Sequence, residues 1–287
     1  MVDNKYGHLV KNLSFKKGMM GGGNARELAF VGGEDLGGLD LNFIIGVYEK
    51  IGDWAPNRGA HAHPFDEFLL FFGYDENDMN YLGADMNLAL GKEQEEHRFS
   101  VPAVAIAPKG FPHCPLVTEK VYKPFGHFHL ALAAKYAGER INKEGTTDGK
   151  KYNNLVKTLR VRKGPGGANT VQTISMSGAD LGAYNIHFTM GLYNQIGEWY
   201  PGKSAMVHPY NACLVFFGND TTTPSYLGAE ITIDLGQEHE KHTFNVPSVI
   251  VIPQGLPYFP IVCNKVEKPY RMMQIGLSPE FLSSWVD

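Results

Sequence analysis

The hydrophobic residues of this chain fall in short runs rather than at helical spacing. NFIIGVYEKI from Asn42, EFLLFFG from Glu67, HRFSVPAVAIAP from His97 and GHFHLALA from Gly126 are rich in β-branched and aromatic residues. Each is bounded by Gly, Pro, Asn or Asp, which is the pattern of a strand closed by turns. Two stretches read differently. LALAAKYAGERINKEGTTDGK, from Leu130, starts apolar and becomes polar and Gly-rich, and predicts a short helix or irregular linker. The tail SPEFLSSWVD predicts a final helix, with Ser278 as its cap and Pro279 at its first position. Many short strands and few helices argue for small β-barrels or sandwiches.

The strand pattern is written twice. At an offset of 145 the chain matches itself without a gap from about Gly33 to His129, and the 35 residues from Tyr81 share 17 identities with those from Tyr226. HLVKNLSFKKG near the start matches NLVKTLRVRKG after one residue of slippage in the loop MMGGGNA. A unit of this size is a whole domain, well beyond the 20 to 50 residues of a solenoid repeat. The expected organisation is a domain over residues 1–135, a linker over 136–150 and a second domain over 151–287.

The copies differ where chemistry is expected. GAHAHPFDEFLLFFG, from Gly59, carries His61, His63 and Glu67, whereas the second copy has Met206, His208 and Ala212 there. The three residues have equal parity and would share one face of an unbroken strand, although Pro64 interrupts it. In APKGFPHCP, Pro108 and Gly110 set a turn and His113 follows; Tyr258 replaces it in the second copy. Three imidazoles and one carboxylate suit a first-row divalent ion and leave two of six positions open. Cys114, one residue on, should face the opposite side and pack.

Other candidates are weaker. His127 and His129 share a strand face and become Met272 and Gln274 in the second copy, so they change together with the ligands. They are expected to line the first pocket as acid, base or hydrogen-bond donor. Arg58 and Lys109 lie beside the ligands in sequence and could clamp an anionic group. His97 and His242 occur in both copies, which points to a surface or turn role. Trp54 and Trp199 also recur and are expected to pack.

Composition excludes some function classes. A net charge of -4 and a pI near 6.3 provide no basic footprint for nucleic acid or anionic membranes. No apolar run reaches the length of a bilayer span, and the stretch MVDNKYGHLVKNLSFKKG lacks the apolar run expected of a signal peptide. Cys114, Cys213 and Cys263 form no CxxC pair, so a reducing cytoplasm is the expected location.

HxHxxxE followed by Gly, with PxGxxH downstream, resembles the two motifs of the cupin family, and the internal repeat makes the chain resemble a bicupin. The asparagine that follows the second motif in the family is not matched. The resemblance implies two tandem jelly-roll barrels (double-stranded β-helices), all-β. It also implies one ion of iron, manganese, nickel or zinc per chain, held by His61, His63, Glu67 and His113. The expected activity is a dioxygenase acting on a small oxygenated organic molecule. The alternatives are a metal-dependent isomerase, lyase or decarboxylase, or a non-catalytic binding or sensing bicupin. A homo-oligomer is also expected, as bicupins commonly assemble.

Overall fold

The computed structural model describes residues 4–18, 24–55, 59–147, 150–162 and 166–286. It divides into two units, one of residues 14–160 and one of residues 1–13 with 161–287. Each is a jelly-roll barrel of two antiparallel sheets.

In the first unit, one sheet runs in the order Val156–Thr158, Ala103–Ala107, Glu67–Gly73, Phe125–Ala131, Asn42–Tyr48 and Ala25–Val31. The other runs Glu139–Arg140, His61–Ala62, His113–Val121, Ala84–Leu90 and Glu95–Phe99, with Gly52–Asp53 also paired to His113–Val121. Glu67–Gly73 and Phe125–Ala131 are buried along their whole length, which explains their near-continuous apolar sequence. Ala84–Leu90 starts with alternating burial, one face on the core and one partly open. Leu69, Phe71, Met86, Leu88, Leu116 and Phe125 meet between the sheets as the core. The run from His97 folds as two strands, because Ser100, Val101 and Pro102 interrupt it.

The expected domain boundaries differ in detail from these units. The strand Val10–Asn12 pairs with Ser248–Ile252 in the second unit, and Val156–Thr158 pairs with Ala103–Ala107 in the first. The arm before each repeat thus joins the other repeat's barrel. A carboxylate anchors each arm. Glu95, which is buried, accepts the backbone N–H groups of Lys151 and Tyr152 at 2.9 and 3.0 Å, and Glu240 accepts those of Lys5 and Tyr6 at 2.9 and 3.1 Å. His97 and His242 each lie 2.8 Å from the same carboxylates. Their recurrence is structural, but His97 is buried rather than on the surface.

Among the described residues the linker takes the irregular alternative, with one short strand, and the helix expected in the tail is not present. Within 136–150, the described residues include the strand Glu139–Arg140, which pairs with His61–Ala62. In the tail, Ser284–Val286 pairs with Ala205–Val207. An available sheet edge satisfies these backbones more fully than one or two helical turns, whose nucleation is unfavourable. The single α-helix among the described residues is Gly178–Leu181, closed by a capping box between Ser177 and Asp180. Its signal, SGAD, is present in the sequence. No helix of the described residues is long and apolar enough to cross a membrane.

Glu95→Ala is expected to strand the N–H groups of Lys151 and Tyr152 and cost about 1–3 kcal/mol. Hydrogen exchange should accelerate in residues 150–158 and remain unchanged in residues 4–12. Uniform acceleration of both arms would contradict the anchoring role.

Candidate metal centre

Pairing, rather than a continuous strand, brings the four predicted ligands together. His61 lies opposite His113 across adjacent strands. Pro64 breaks the strand after Ala62, and the chain re-enters the barrel at Glu67 in the facing sheet. The ring centroid of His61 is 4.4 Å from that of His113 and 4.9 Å from that of His63. Glu67 Oε2 lies 2.9 Å from His113 Nε2 and 3.4 Å from His63 Nε2.

Main-chain carbonyls orient two of the rings. His63 Nδ1 lies 2.5 Å from the Ala137 carbonyl and His113 Nδ1 lies 3.3 Å from that of Phe111. A carbonyl can only accept, so His63 Nδ1 carries the hydrogen and its Nε2 points its lone pair inward, while His113 turns Nε2 to the Glu67 carboxylate. Gly138 makes the first contact possible, because a Cβ there would come within 2.8 Å of the His63 ring. His63 Nε2 and Glu67 Oε2 are buried and accept no hydrogen bond among the described residues. Lone pairs of imidazole and carboxylate converging on one point need a cation between them. This donor set fits a divalent transition metal, with His63, Glu67 and His113 within 4.8 Å of one another and His61 beside them.

The electrostatics agree with that fit. Burial, then His113 and His63, lower His61 to about 4. Burial likewise lowers His63. For His113 the burial penalty is outweighed by the Glu67 carboxylate, which raises it. Burial opposes the Glu67 charge, yet His129 and His113 hold its carboxyl well below the usual range. Two ligand imidazoles are thus neutral at ordinary pH, the state a metal requires.

His129 also reaches the centre. Its Nε2 contacts Glu67 Oε1, leaving Oε2 directed at the two imidazoles. His127 lies one pleat further along the same strand, with Nδ1 2.9 Å from the Leu70 carbonyl, and burial lowers it to about 3. Both histidines line a cavity of about 130 Å³, together with His61, Glu67 and His113. Its remaining walls are largely apolar, with Leu28, Ile44, Leu69 and Leu116 among them.

Two predicted positions fall differently. Cys114, expected to face away, lines this cavity with its sulfur within 4.8 Å of ring nitrogens of His61 and His113. The register slips between His113 and Leu116, and Cys114 has φ of 74°, so strand alternation fails there. Phe259 holds the matching position at φ of 105°, which makes this kink part of the scaffold. Lys109 is exposed in the turn before His113, with its N–H on Asp66 at 2.8 Å, and is not among the cavity-lining residues. Arg58 lies outside the described residues.

Sequence reasoning missed Asp53 and Tyr136 as lining residues and the Ala137 carbonyl as an orienting group. Tyr136 follows the last matched strand, where the sequence reads as a linker. Trp54, expected to pack, stacks on Tyr48, donates to Thr118 Oγ1 at 2.7 Å and also lines the cavity.

The second barrel fills the same space with its own side chains. His208 Nε2 lies 2.6 Å from the Tyr258 hydroxyl, and Gln274 and Met206 approach this pair at 3.2 and 3.5 Å. The cavity left there is about 10 Å³. A site closed by hydrogen bonds among its own groups has no use for a cation.

Comparison of the sequence with protein-family models and with curated proteins finds no match. Solved structures do match. A point variant of Bacillus subtilis oxalate decarboxylase aligns over 96% of this chain and 77% of its own, with a TM-score of 0.62 and 8% identity. A second structure, concerned with the Mn(II) centres of that enzyme, aligns over 96% and 79% with the same TM-score and identity. The enzyme at pH 4.6 gives a TM-score of 0.59 and 8% identity over 92% and 75%. At this identity the likeness carries the fold, which is of the cupin type in two tandem barrels.

Metal analysis of the purified chain is expected to find about one equivalent per chain, lost in Glu67→Ala and His113→Ala and retained in His97→Ala. Equal content in all four proteins would refute the assignment.

The protonation pattern couples stability to pH. His61 and His127 take up protons near 6.5 when unfolded but near 4 and 3 when folded. The unfolded state then binds more protons, so stability rises with pH across this window. His113, raised, acts in the opposite sense: its contribution is complete below about 6.5 and is lost above its folded value. Metal-free protein is expected to lose stability as pH falls from about 6.5 towards 4, and His127→Gln should flatten that loss. Urea unfolding at stepped pH measures both slopes, and an unchanged slope in the variant would refute the role given to His127.

Proposed function

We propose that the chain is a metal-dependent enzyme whose first barrel holds one divalent first-row ion with His61, His63, Glu67 and His113. Its substrate is a small oxygen-bearing organic acid, and its reaction is a decarboxylation or related lyase step. The observation that carries this reading is the convergence of buried, unpartnered acceptor atoms on one point at the wall of a 130 Å³ cavity. A scaffold or storage protein gains nothing from that arrangement, since unpaired buried polar atoms destabilise it.

The ion, when bound, would supply Lewis-acid polarisation of the substrate oxygens. The protein's residues account for the rest. Apolar walls exclude water and hold the substrate body. Loss of carbon dioxide leaves an electron pair that needs a proton, and His129, which contacts Glu67 and lines the cavity, is placed to hold and deliver one at its ring nitrogen. The solved structures named above are of oxalate decarboxylase, which favours this alternative over the dioxygenase expected from the sequence.

Incubation with a panel of small dicarboxylic and 2-oxo acids, monitored for both oxygen uptake and carbon dioxide release, tests the reading. Carbon dioxide release that persists without oxygen, and falls by at least 100-fold in His113→Ala, is expected. Stoichiometric oxygen consumption would overturn it in favour of a dioxygenase.

A further inference from the structure

His127 is a buried polar group for which the metal centre has no use. Its ring sits among aromatic side chains, with centroids 5.0 Å from Trp54, 5.9 Å from Tyr48 and 4.7 Å from Phe71. It lies beyond His129, with 6.5 Å between the two rings. Only 5% of the residue is exposed. An imidazole in such a slot loses hydration that a thioether would not, and the second barrel, whose cavity is filled, has Met272 here.

Its hydrogen bonding is one-sided. Nδ1 lies 2.9 Å from the Leu70 carbonyl, which can only accept, so Nδ1 carries the hydrogen. Burial keeps the ring neutral down to about pH 3, and a neutral ring with Nδ1–H has a bare lone pair on Nε2. The hydrogen bond that His127 makes among the described residues is through Nδ1, and the ring forms part of the cavity wall. The cavity wall therefore combines His61, Glu67 and His113 of the metal centre, the apolar side chains of Leu28, Ile44, Leu69 and Leu116, and an acceptor at His127.

We propose that His127 is a specificity-determining hydrogen-bond acceptor, and that the substrate carries a hydroxyl group at the end remote from its metal-chelating oxygens. The inference rests on the reading that the first barrel binds a chelating acid, and it narrows the substrate class to hydroxylated small acids. A site built to accept from a hydroxyl discriminates strongly against an analogue that lacks one, because the acceptor is then left without its partner.

Calorimetric titration of the metal-loaded protein with paired probes tests it: 2-oxo acids of four, five and six carbons, each with and without a terminal hydroxyl. For at least one chain length the hydroxylated acid should bind the native protein about tenfold or more tightly than its partner. That ratio should fall to near one in His127→Phe and should partly survive in His127→Gln, whose amide oxygen can accept. A native ratio near one at every length, or a ratio that persists in His127→Phe, overturns the proposal. Nitrogen-15 spectra of the native, metal-free chain provide a second arm that needs neither variant nor metal. Hydrogen on Nδ1 and none on Nε2 of His127 supports the proposal, and hydrogen on Nε2 overturns it. Absence of bound metal with the expected tautomer would instead count against the metal reading alone.

Discussion

The carboxylate of Glu67 is buried inside the first barrel with imidazoles around it and no lysine or arginine among the groups that set its charge. A buried carboxylate without a cation is expensive, so its surroundings must supply positive charge or hydrogen. His129 satisfies one oxygen, and the other faces His63 and His113. Carbonyls of Ala137 and Phe111 direct those two rings. The jelly roll makes this possible, because it sets Glu67 on one sheet against His61 and His113 on the other.

The two barrels form an internal control. Both keep the strand order, the tryptophan stacked on a tyrosine, the kink at Cys114 or Phe259 and the carboxylate that anchors an arm. Those features belong to the scaffold. The second barrel has Ala212 in place of Glu67 and Tyr258 in place of His113, and the tyrosine hydroxyl bonds to the surviving histidine. Without the carboxylate there is no need for a cation, and a bulky aromatic fills the space. Where the copies differ is therefore where chemistry is expected.

Much of this is legible in the sequence. The duplication, the strands and the group His61, His63, Glu67 and His113 are readable because spacing and residue type survive in one dimension. Parity accounts for only part of their convergence, since Pro64 ends the strand and cross-strand pairing completes it. The fates of the linker stretch and of the tail are not legible. Residues 136–150 and the tail have weak local preferences, and each is decided by a sheet edge far away in sequence. Parity fails for Cys114 because a bulge and a positive φ reverse the expected face. Tyr136 and the Ala137 carbonyl carry no motif, and their roles arise only from where the chain returns.

The sequence by itself determined the fold class, the repeat and the residues able to hold a metal, because strand patterns and ligand chemistry are local properties. Tertiary structure alone decided which barrel each arm completes, which nitrogen of His63 and His127 bears the hydrogen, and how much space is left beside the ligands. Those outcomes depend on backbone groups brought together from distant parts of the chain, and hydrogen-bond geometry between such groups is not encoded at any single position.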